Sequence, residues 1–147
     1  MQDNIEIKKL IGRTEYYKNG LLHREGDLPA VVCYNKYGET DLKWYKNGLL
    51  HREEDLPAVT SKNGAKKWYI NGLLHRENGP ASVGYFWVDE YYQNGLLHRI
   101  DGPAVIPNTK NGIGKNEWFI NGISYTEEEF AHKINPIKQP SYLLISN

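Results

Sequence analysis

Short apolar segments separated by turn residues recur along this chain in a fixed order. Each copy begins with an aromatic pair and continues into Asn-Gly, and the first four copies continue further as Leu-Leu-His-Arg. Successive Asn-Gly pairs lie 28, 24, 23 and 27 residues apart. A feature that recurs at such a period indicates a repeat architecture. The aromatic pairs are Tyr16-Tyr17, Trp44-Tyr45, Trp68-Tyr69, Tyr91-Tyr92 and Trp118-Phe119.

Asn-Gly between two apolar segments predicts a tight hairpin in every copy. A type I′ turn needs a positive φ at both central residues, which Asn and Gly tolerate. We assign a structural role to the turn residues of the first four copies and to the histidine that follows them. These residues are Asn19, Gly20, His23, Asn47, Gly48, His51, Asn71, Gly72, His75, Asn94, Gly95 and His98.

A proline turn follows each of the first four hairpins and ends a strand, because proline fixes φ and lacks a backbone donor. Each turn ends in Pro-Ala and leads into a β-prone run such as Ala30-Val31-Val32. With about two strands per copy, the chain is predicted to be mainly β, an antiparallel meander of about ten strands. The hairpin array spans residues 1–125, with copies near 15–32, 43–60, 67–83, 90–106 and 117–125.

The hairpin register assigns side chains to the two faces of each copy. In the second copy Tyr45 faces Leu50 and Trp44 faces His51, and alternation sends Arg52 back to the face of Tyr45. Both faces then carry aromatic and aliphatic side chains. A flat open sheet would leave one of them exposed, so we expect a strong twist, a fold-over or a partner.

The fifth copy ends the array and leads into a predicted helix. Thr126 and Glu129 form a capping box, and Phe130 and Ile134 share one helix face. Residues 126–147 are therefore predicted to be a capping helix, about Glu127 to Ile134, and a C-terminal tail. Within the tail, Tyr142–Ile145 is expected to pack on its own chain, with addition of a strand to a partner as the alternative.

Composition narrows the classes of function. Lys+Arg and Asp+Glu are both 18, so the formal net charge is zero, which argues against a nucleic-acid binder and a charge-driven membrane anchor. No apolar run is long enough to cross a bilayer. Cys33 is the only cysteine and is interpreted as a structural thiol, and the N-terminus does not resemble a signal peptide. These features predict a cytoplasmic protein without membrane insertion.

The segment from Trp68 to His75 resembles the MORN repeat (membrane occupation and recognition nexus), a β-hairpin unit of about 23 residues. The resemblance extends from about Glu15 to Tyr125. Arg replaces the usual Gly after His, and the Pro-Ala turn replaces a Gly-x-Gly segment. The chain is thus similar to divergent repeats in uncharacterised proteins of large DNA viruses, phages and some bacteria. The resemblance implies an interaction or assembly module, with a protein partner or a homo-oligomer, and a location inside the cell, including an infected host cell.

The recurring His and Arg suggest two candidate ladders. Equivalent residues in adjacent copies are two strands apart, roughly 9–10 Å, too far for neighbouring histidines to share a metal ion. We therefore expect each His to pack against its aromatic partner and to hydrogen-bond the proline turn. Each Arg is expected to bond turn carbonyls or the acids that follow it. Those acids are Glu25, Glu53, Glu77 and Asp101.

Two functions are compatible with this pattern. The first is a non-enzymatic module that presents an extended β surface for protein binding or self-association. The second is sequestration of a small anionic or nucleotide-like ligand between aromatic and Arg rows, because guanidinium groups beside aromatic faces can clamp such a ligand. An enzyme, a cofactor and a metal site are not expected, because no phosphate loop, nucleophile elbow or zinc motif is present. The candidate ligand residues are Arg24, Arg52, Arg76, Arg99, Tyr45, Tyr69 and Tyr92.

Overall fold

The computed structural model describes residues 3–85, 88–107 and 114–136. Within these ranges the chain forms short strands and one helix, and no described helix has the length and apolar character needed to span a bilayer. In chain order the elements are β1 (Ile5–Leu10), β2 (Arg13–Lys18), β3 (Leu21–Leu22), β4 (Val31–Asn35), β5 (Gly38–Lys43), β6 (Tyr45–Lys46), β7 (Leu49–Leu50), β8 (Val59–Ser61), β9 (Lys66–Lys67), β10 (Tyr69–Ile70), β11 (Leu73–Leu74), β12 (Ser82–Tyr85), β13 (Val88–Glu90), β14 (Tyr92–Gln93), β15 (Leu96–Leu97), β16 (Val105–Pro107), β17 (Trp118–Ile120), β18 (Ile123–Tyr125) and α1 (Glu127–Ile134).

One antiparallel sheet runs the length of the array in the order β1-β2-β4-β5-β8-β9-β12-β13-β16, and β3 pairs with β2 beside it. Successive strands of this order follow one another along the chain, so the sheet is a meander. Tight turns join β1 to β2, β4 to β5 and β8 to β9, whereas an Asn-Gly hairpin and a proline turn lie between β2 and β4, β5 and β8, β9 and β12, and β13 and β16. In the turn between β8 and β9, Gly64 has a φ of 88° and the side chain of Asn63 accepts from the Ala65 N–H at 3.0 Å. The predicted mainly β fold, with a sheet of about ten strands, is confirmed.

Small hairpins built on the Asn-Gly turns stand outside the main path of this sheet. They are β6–β7, β10–β11, β14–β15 and β17–β18. In the second copy the strand leading into the turn is interrupted at Trp44, between β5 and β6. The hairpins stack because the turn-glycine N–H of every copy after the first donates to a leucine carbonyl of the preceding copy. These bonds join Gly48 to Leu22, Gly72 to Leu50 and Gly95 to Leu74 at 2.8 Å, and Gly122 to Leu97 at 2.9 Å.

The Asn-Gly turns have the predicted backbone conformation. In all five copies φ lies between 50° and 52° at Asn and between 77° and 82° at Gly. Positive φ at both central residues is the requirement of a type I′ turn, and it explains why the chain keeps this dipeptide. The predicted register is also observed, since Tyr45 pairs with Leu50 and Lys46 pairs with Leu49.

The core lies where the sheet strands pass into the hairpins. Trp44 and Trp68 are buried, at 8% and 7% exposure, and the backbone N–H of each donates at 2.8 Å to the alanine that ends the proline turn of its own copy. In the second and third copies the first residue of the aromatic pair therefore lines the core, whereas the sequence alone did not show which face is buried. The alanines of these turns are fully buried: Ala30, Ala58, Ala81 and Ala104.

The helix α1 covers the last hairpin as predicted. It spans Glu127–Ile134, and its capping box is complete, with the Thr126 hydroxyl accepting from the Glu129 N–H and the Glu129 carboxylate accepting from the Thr126 N–H. Phe130 is buried and α1 contacts β17 and β18. The expectation for Tyr142–Ile145 falls outside the described residues.

Candidate interaction surface

Each recurring arginine stacks on the first aromatic residue of its own copy. The predicted face was wrong: the Arg52 guanidinium carbon lies 3.8 Å from the centroid of the Trp44 ring, not on the Tyr45 side. The chain leaves the hairpin after Leu50, so strand alternation no longer applies at position 52. The other stacks place Arg24 over Tyr16 at 3.7 Å, Arg76 over Trp68 at 3.8 Å and Arg99 over Tyr91 at 4.0 Å.

The arginines also bond their own proline turns, which confirms one predicted role. A guanidinium N–H donates to the carbonyl of Pro29, Pro57, Pro80 or Pro103, at 3.2 to 3.4 Å. A second set of N–H groups binds carboxylates. The Asp27 carboxylate accepts two bonds at 2.8 Å from Arg52, which belongs to the next copy. Asp55 accepts in the same way from Arg76, at 2.8 and 3.0 Å.

The carboxylate of the proline turn binds an arginine of the next copy in two cases and the arginine of its own copy in one. Two residues separate Arg24 from Asp27, and that carboxylate reaches across to the next copy. One residue separates Arg99 from Asp101, and this pair closes within the copy at 2.7 Å. The predicted partners Glu25 and Glu53 were wrong, because these carboxylates bind Lys18 and Lys46 at 2.7 and 2.6 Å. Asp101 alone of the predicted acids binds its Arg.

Asp27 and Asp55 are held in the ionised form by these contacts. Hydrogen bonds from the Arg76 guanidinium lower the pKa of Asp55, and those from Arg52 lower the pKa of Asp27. A carboxyl whose folded-state pKa is depressed contributes stability above its unfolded pKa of about 3.9. That contribution is lost as the pH falls through the folded value. Loss of the ion pairs between copies is therefore expected to lower the stability of the fold in acid.

Replacing Asp55 by Asn tests this coupling. We expect the variant to lose about 0.5–1 kcal/mol of unfolding free energy at pH 7, because the partly exposed ion pair to Arg76 disappears. The loss should shrink at an acidic pH below the lowered pKa of the native Asp55 carboxyl, where that carboxyl is protonated as well. Urea unfolding at both pH values measures the difference. The matched control is Glu54→Gln in the same turn, since Glu54 has no ion pair with the described residues. Equal losses at the two pH values would contradict the prediction.

The histidines link neighbouring copies rather than the proline turn, so the predicted hydrogen bond was wrong. Nδ1 of His51 accepts from the Asn71 N–H at 3.1 Å, across the boundary between copies. The same contact joins His23 to Asn47 at 3.1 Å. Nδ1 must be unprotonated to accept, which leaves Nε2 as the donor of a neutral ring. The contact recurs from His75 to Asn94 at 3.2 Å and from His98 to Asn121 at 3.1 Å.

Two shallow clefts lie along the arginine side between adjacent copies. The first has a volume of about 340 Å³, and Arg24, Arg52 and Tyr45 are among its lining residues. The second, of about 390 Å³, is lined in part by Arg76 and Tyr69. The structure therefore brings some of the candidate ligand residues to the same clefts. However, the guanidinium groups of Arg52 and Arg76 already contact an aromatic ring, a proline carbonyl and an aspartate carboxylate. Their side chains are only 16% and 19% exposed.

A line of exposed aliphatic side chains runs along the stacked hairpins, and the sequence analysis did not predict it. The first residue after each Asn-Gly is about half exposed, and we call this line the leucine ridge. Each ridge leucine packs on the turn of the next copy: a Cβ placed at Gly72 would lie 3.4 Å from Leu49 Cδ2. The register alone could not reveal the ridge, because alternation places Leu49 on the same face as Trp44, which is buried. The ridge consists of Leu21 (50% exposed), Leu49 (49%), Leu73 (50%), Leu96 (49%) and Ile123 (61%).

Comparison of the chain with protein-family models, with curated proteins and with solved structures finds no match to any of them. Over the ranges that the structure describes, His, Cys, Asp and Glu side chains form no group of three or more placed to hold a metal ion. Cys33 lies half-buried in β4, opposite Arg13. The functional argument therefore rests on the arrangement of the repeated side chains.

Proposed function

We propose that this chain is a non-enzymatic, MORN-like repeat module that binds a partner protein along the leucine ridge. The observation that carries the proposal is the exposure of a large aliphatic side chain at one register position in five successive copies. A single exposed leucine is ordinary on a protein surface. A contiguous exposed apolar line with polar margins is typical of an interaction site.

The polar margins of the ridge support this assignment. Lys18 and Lys46 pair across the hairpins with the first two ridge leucines, and their ammonium groups are engaged by Glu25 and Glu53. In the third and fifth copies the paired residues are Ile70, itself 36% exposed, and Ile120, so the ridge gains apolar area beside Leu73 and Ile123. Interfaces commonly have such an apolar centre within a polar rim.

The spacing of the ridge fits the apolar face of an amphipathic helix. Equivalent residues in neighbouring copies are two strands apart, roughly 9.6 Å. A helix that carries an apolar residue every seven positions presents these residues about 10.5 Å apart. A helix laid along the ridge can therefore place one apolar side chain against each copy. Binding of a helix in an apolar groove is an established mode of recognition.

The geometry does not favour the alternative of a sequestered anionic ligand. Clamping an anion needs guanidinium donors that are free, whereas Arg52 and Arg76 already donate to a carboxylate through Nε and Nη2 and to a proline carbonyl through Nη1. Arg24 lacks a carboxylate partner among the described residues, but one guanidinium does not form a row. Burial raises the pKa of the Tyr45 and Tyr69 hydroxyls, so these side chains are neutral at physiological pH.

Peptide binding tests the proposed function. A helical peptide of about four heptads with leucine every seventh residue is expected to bind the chain with a dissociation constant in the micromolar range, measured by fluorescence anisotropy. The ridge variant Leu49→Ser/Leu73→Ser should weaken binding by at least about tenfold, since the centre of the apolar surface is removed.

Two controls separate ridge binding from unspecific adhesion. A peptide of the same composition with leucines five residues apart places them on different sides of the helix and should not bind. The variant Asp55→Asn, on the arginine side, should bind as tightly as the wild type. Absence of binding by the heptad peptide, or equal binding by the ridge variant, would reject the proposal.

A further inference from the structure

The N-terminal strand β1 leaves one edge of the main sheet open. It begins the strand order, and among the described residues its sheet neighbour is β2 alone. All six of its residues are exposed, including Ile5 at 61% and Ile7 at 54%. The strand contains no proline, which is one of the residues that block an edge. The other end of the array is different, because α1 packs its buried Phe130 over the last hairpin.

We propose that two copies of this chain pair edge to edge through β1, antiparallel and with Ile7 opposite Ile7. The two sheets then continue into one across a twofold axis. The partner is a second copy because β1 is complementary to itself in this register, as its hydrogen-bonding pattern and its charges indicate. This surface is separate from the leucine ridge, so the inference does not depend on the proposed function.

The hydrogen-bonding pattern of β1 restricts the registers that a dimer can use. Successive residues of a strand point their N–H and C=O groups alternately to one neighbour and to the other. The residues of β1 that already bond β2 therefore cannot bond a second β1. Two residues of paired β1 strands can lie opposite each other only when both point their N–H and C=O groups towards the open edge, or when both point them towards β2. The symmetric registers in the middle of the strand are then those centred on Glu6, Ile7 or Lys8.

Charge selects one of these three registers. Centring on Glu6 sets Glu6 against Glu6, and centring on Lys8 sets Lys8 against Lys8; like charges directly opposite destabilise a strand pair. Centring on Ile7 sets Glu6 of each copy against Lys8 of the other, which gives two favourable pairs. Within one copy these two side chains already lie on the same face, 3.7 Å apart.

The opposite face of the strand supports the same register. Ile5 and Ile7 lie on this face, and pairing about Ile7 sets the two Ile7 side chains opposite each other, with one Ile5 on either side of this pair and diagonal to Ile7 of the other copy. Lys9 of each copy falls opposite Ile5, where its aliphatic stem covers the isoleucine and its ammonium group extends to solvent. Both faces of the paired strands are therefore complementary.

Sedimentation equilibrium of the full chain tests the proposal. The wild type is expected to form a dimer of about 34 kDa, twice the 17.0 kDa of one chain. Glu6→Lys or Lys8→Glu alone places like charges opposite each other twice and should weaken dimerisation at least about tenfold. The double variant Glu6→Lys/Lys8→Glu exchanges the two charges and should restore it. A monomeric wild type at about 100 µM, or a double variant as weak as the single variants, would overturn the proposal.

Cysteine crosslinking tests the register. In a Cys33→Ser background, Ile7→Cys brings two sulfurs together across the axis, with Cα atoms about 4.5–5.5 Å apart, so oxidation should yield a covalent dimer. Ile5→Cys is the matched control, because its two copies lie about 13 Å apart along the strands. Equal crosslinking of both variants would reject the register.

The leucine ridge is tested separately. Leu49→Ser/Leu73→Ser should leave the dimer intact, since the ridge takes no part in the joint. Loss of the dimer in this ridge variant would assign self-association to the ridge and refute pairing through β1. A dimer that persists while the heptad peptide fails to bind would reject the proposed function alone.

Discussion

Replacing Trp68 by Ala is expected to lower the free energy of unfolding by about 3–5 kcal/mol, the usual cost of removing a large aromatic side chain from a core. The ring is 7% exposed, its Nε1–H donates to the Asp55 carbonyl at 2.8 Å, and Arg76 stacks on its face. The substitution removes all three contacts and leaves the carbonyl of the preceding turn without its donor. Urea unfolding, followed by circular dichroism, measures the change.

The chain provides its own control for this variant. Tyr16 and Tyr91 occupy the equivalent position in the first and fourth copies, and an arginine stacks on each of them. Trp68→Tyr should therefore keep the stacked arrangement and lose only the indole hydrogen bond and part of the buried area, about 1–2 kcal/mol. Equal losses for the Ala and Tyr variants would show that the stack on Trp68 does not stabilise the array.

Features determined by local sequence could be predicted. The Asn-Gly turns need a positive φ at both residues, and this requirement is enough to determine the hairpin register around Tyr45 and Leu50. The capping box at Thr126 located α1 for a similar reason, because its two hydrogen bonds join residues only three positions apart. The mainly β meander followed from the regular spacing of these turns.

Features that depend on contacts between copies could not be predicted in the same way. The interruption at Trp44 separates the hairpin from the main sheet, and hairpin register alone does not determine where a strand leaves the sheet. Strand alternation placed Arg52 on the wrong face because the strand ends at Leu50. The partner of His51 lies in the next copy, 20 residues further along the chain, where a pattern read within one copy gives no information.

The arrangement of the copies explains why one motif persists through the array. In Asn-Gly-Leu-Leu-His-Arg, the glycine N–H of the later copies, the histidine Nδ1 and two of the four arginine side chains bond a neighbouring copy. Repeat proteins of this kind derive much of their stability from contacts between adjacent units. Most positions of the motif therefore serve the stacking of copies. The outer side of the first leucine takes no part in these hydrogen bonds and is the part of the motif that a partner can contact.

Replacing Gly72 by Val is expected to lower the free energy of unfolding by about 3 kcal/mol. The residue has a φ of 81°, a conformation that costs a β-branched side chain about 1–3 kcal/mol. A Cβ at this position would already lie 3.4 Å from Leu49 Cδ2, so the additional methyl groups of Val displace the ridge leucine of the preceding copy. The Gly72 N–H bond to the Leu50 carbonyl would be strained as well. Urea unfolding measures the loss.

Gly20 separates backbone strain from the contact between copies. It has nearly the same φ, 79°, but a Cβ there would meet no atom within 4 Å, because no preceding ridge leucine lies against the first turn. Gly20→Val should therefore incur the conformational cost alone and destabilise the chain by about 1 kcal/mol less than Gly72→Val. The difference between the two variants is the cost of disturbing one joint in the stack of hairpins. If the two losses are equal, Leu49 does not hold the third hairpin in place, and the ridge is available to a partner without any cost to the array.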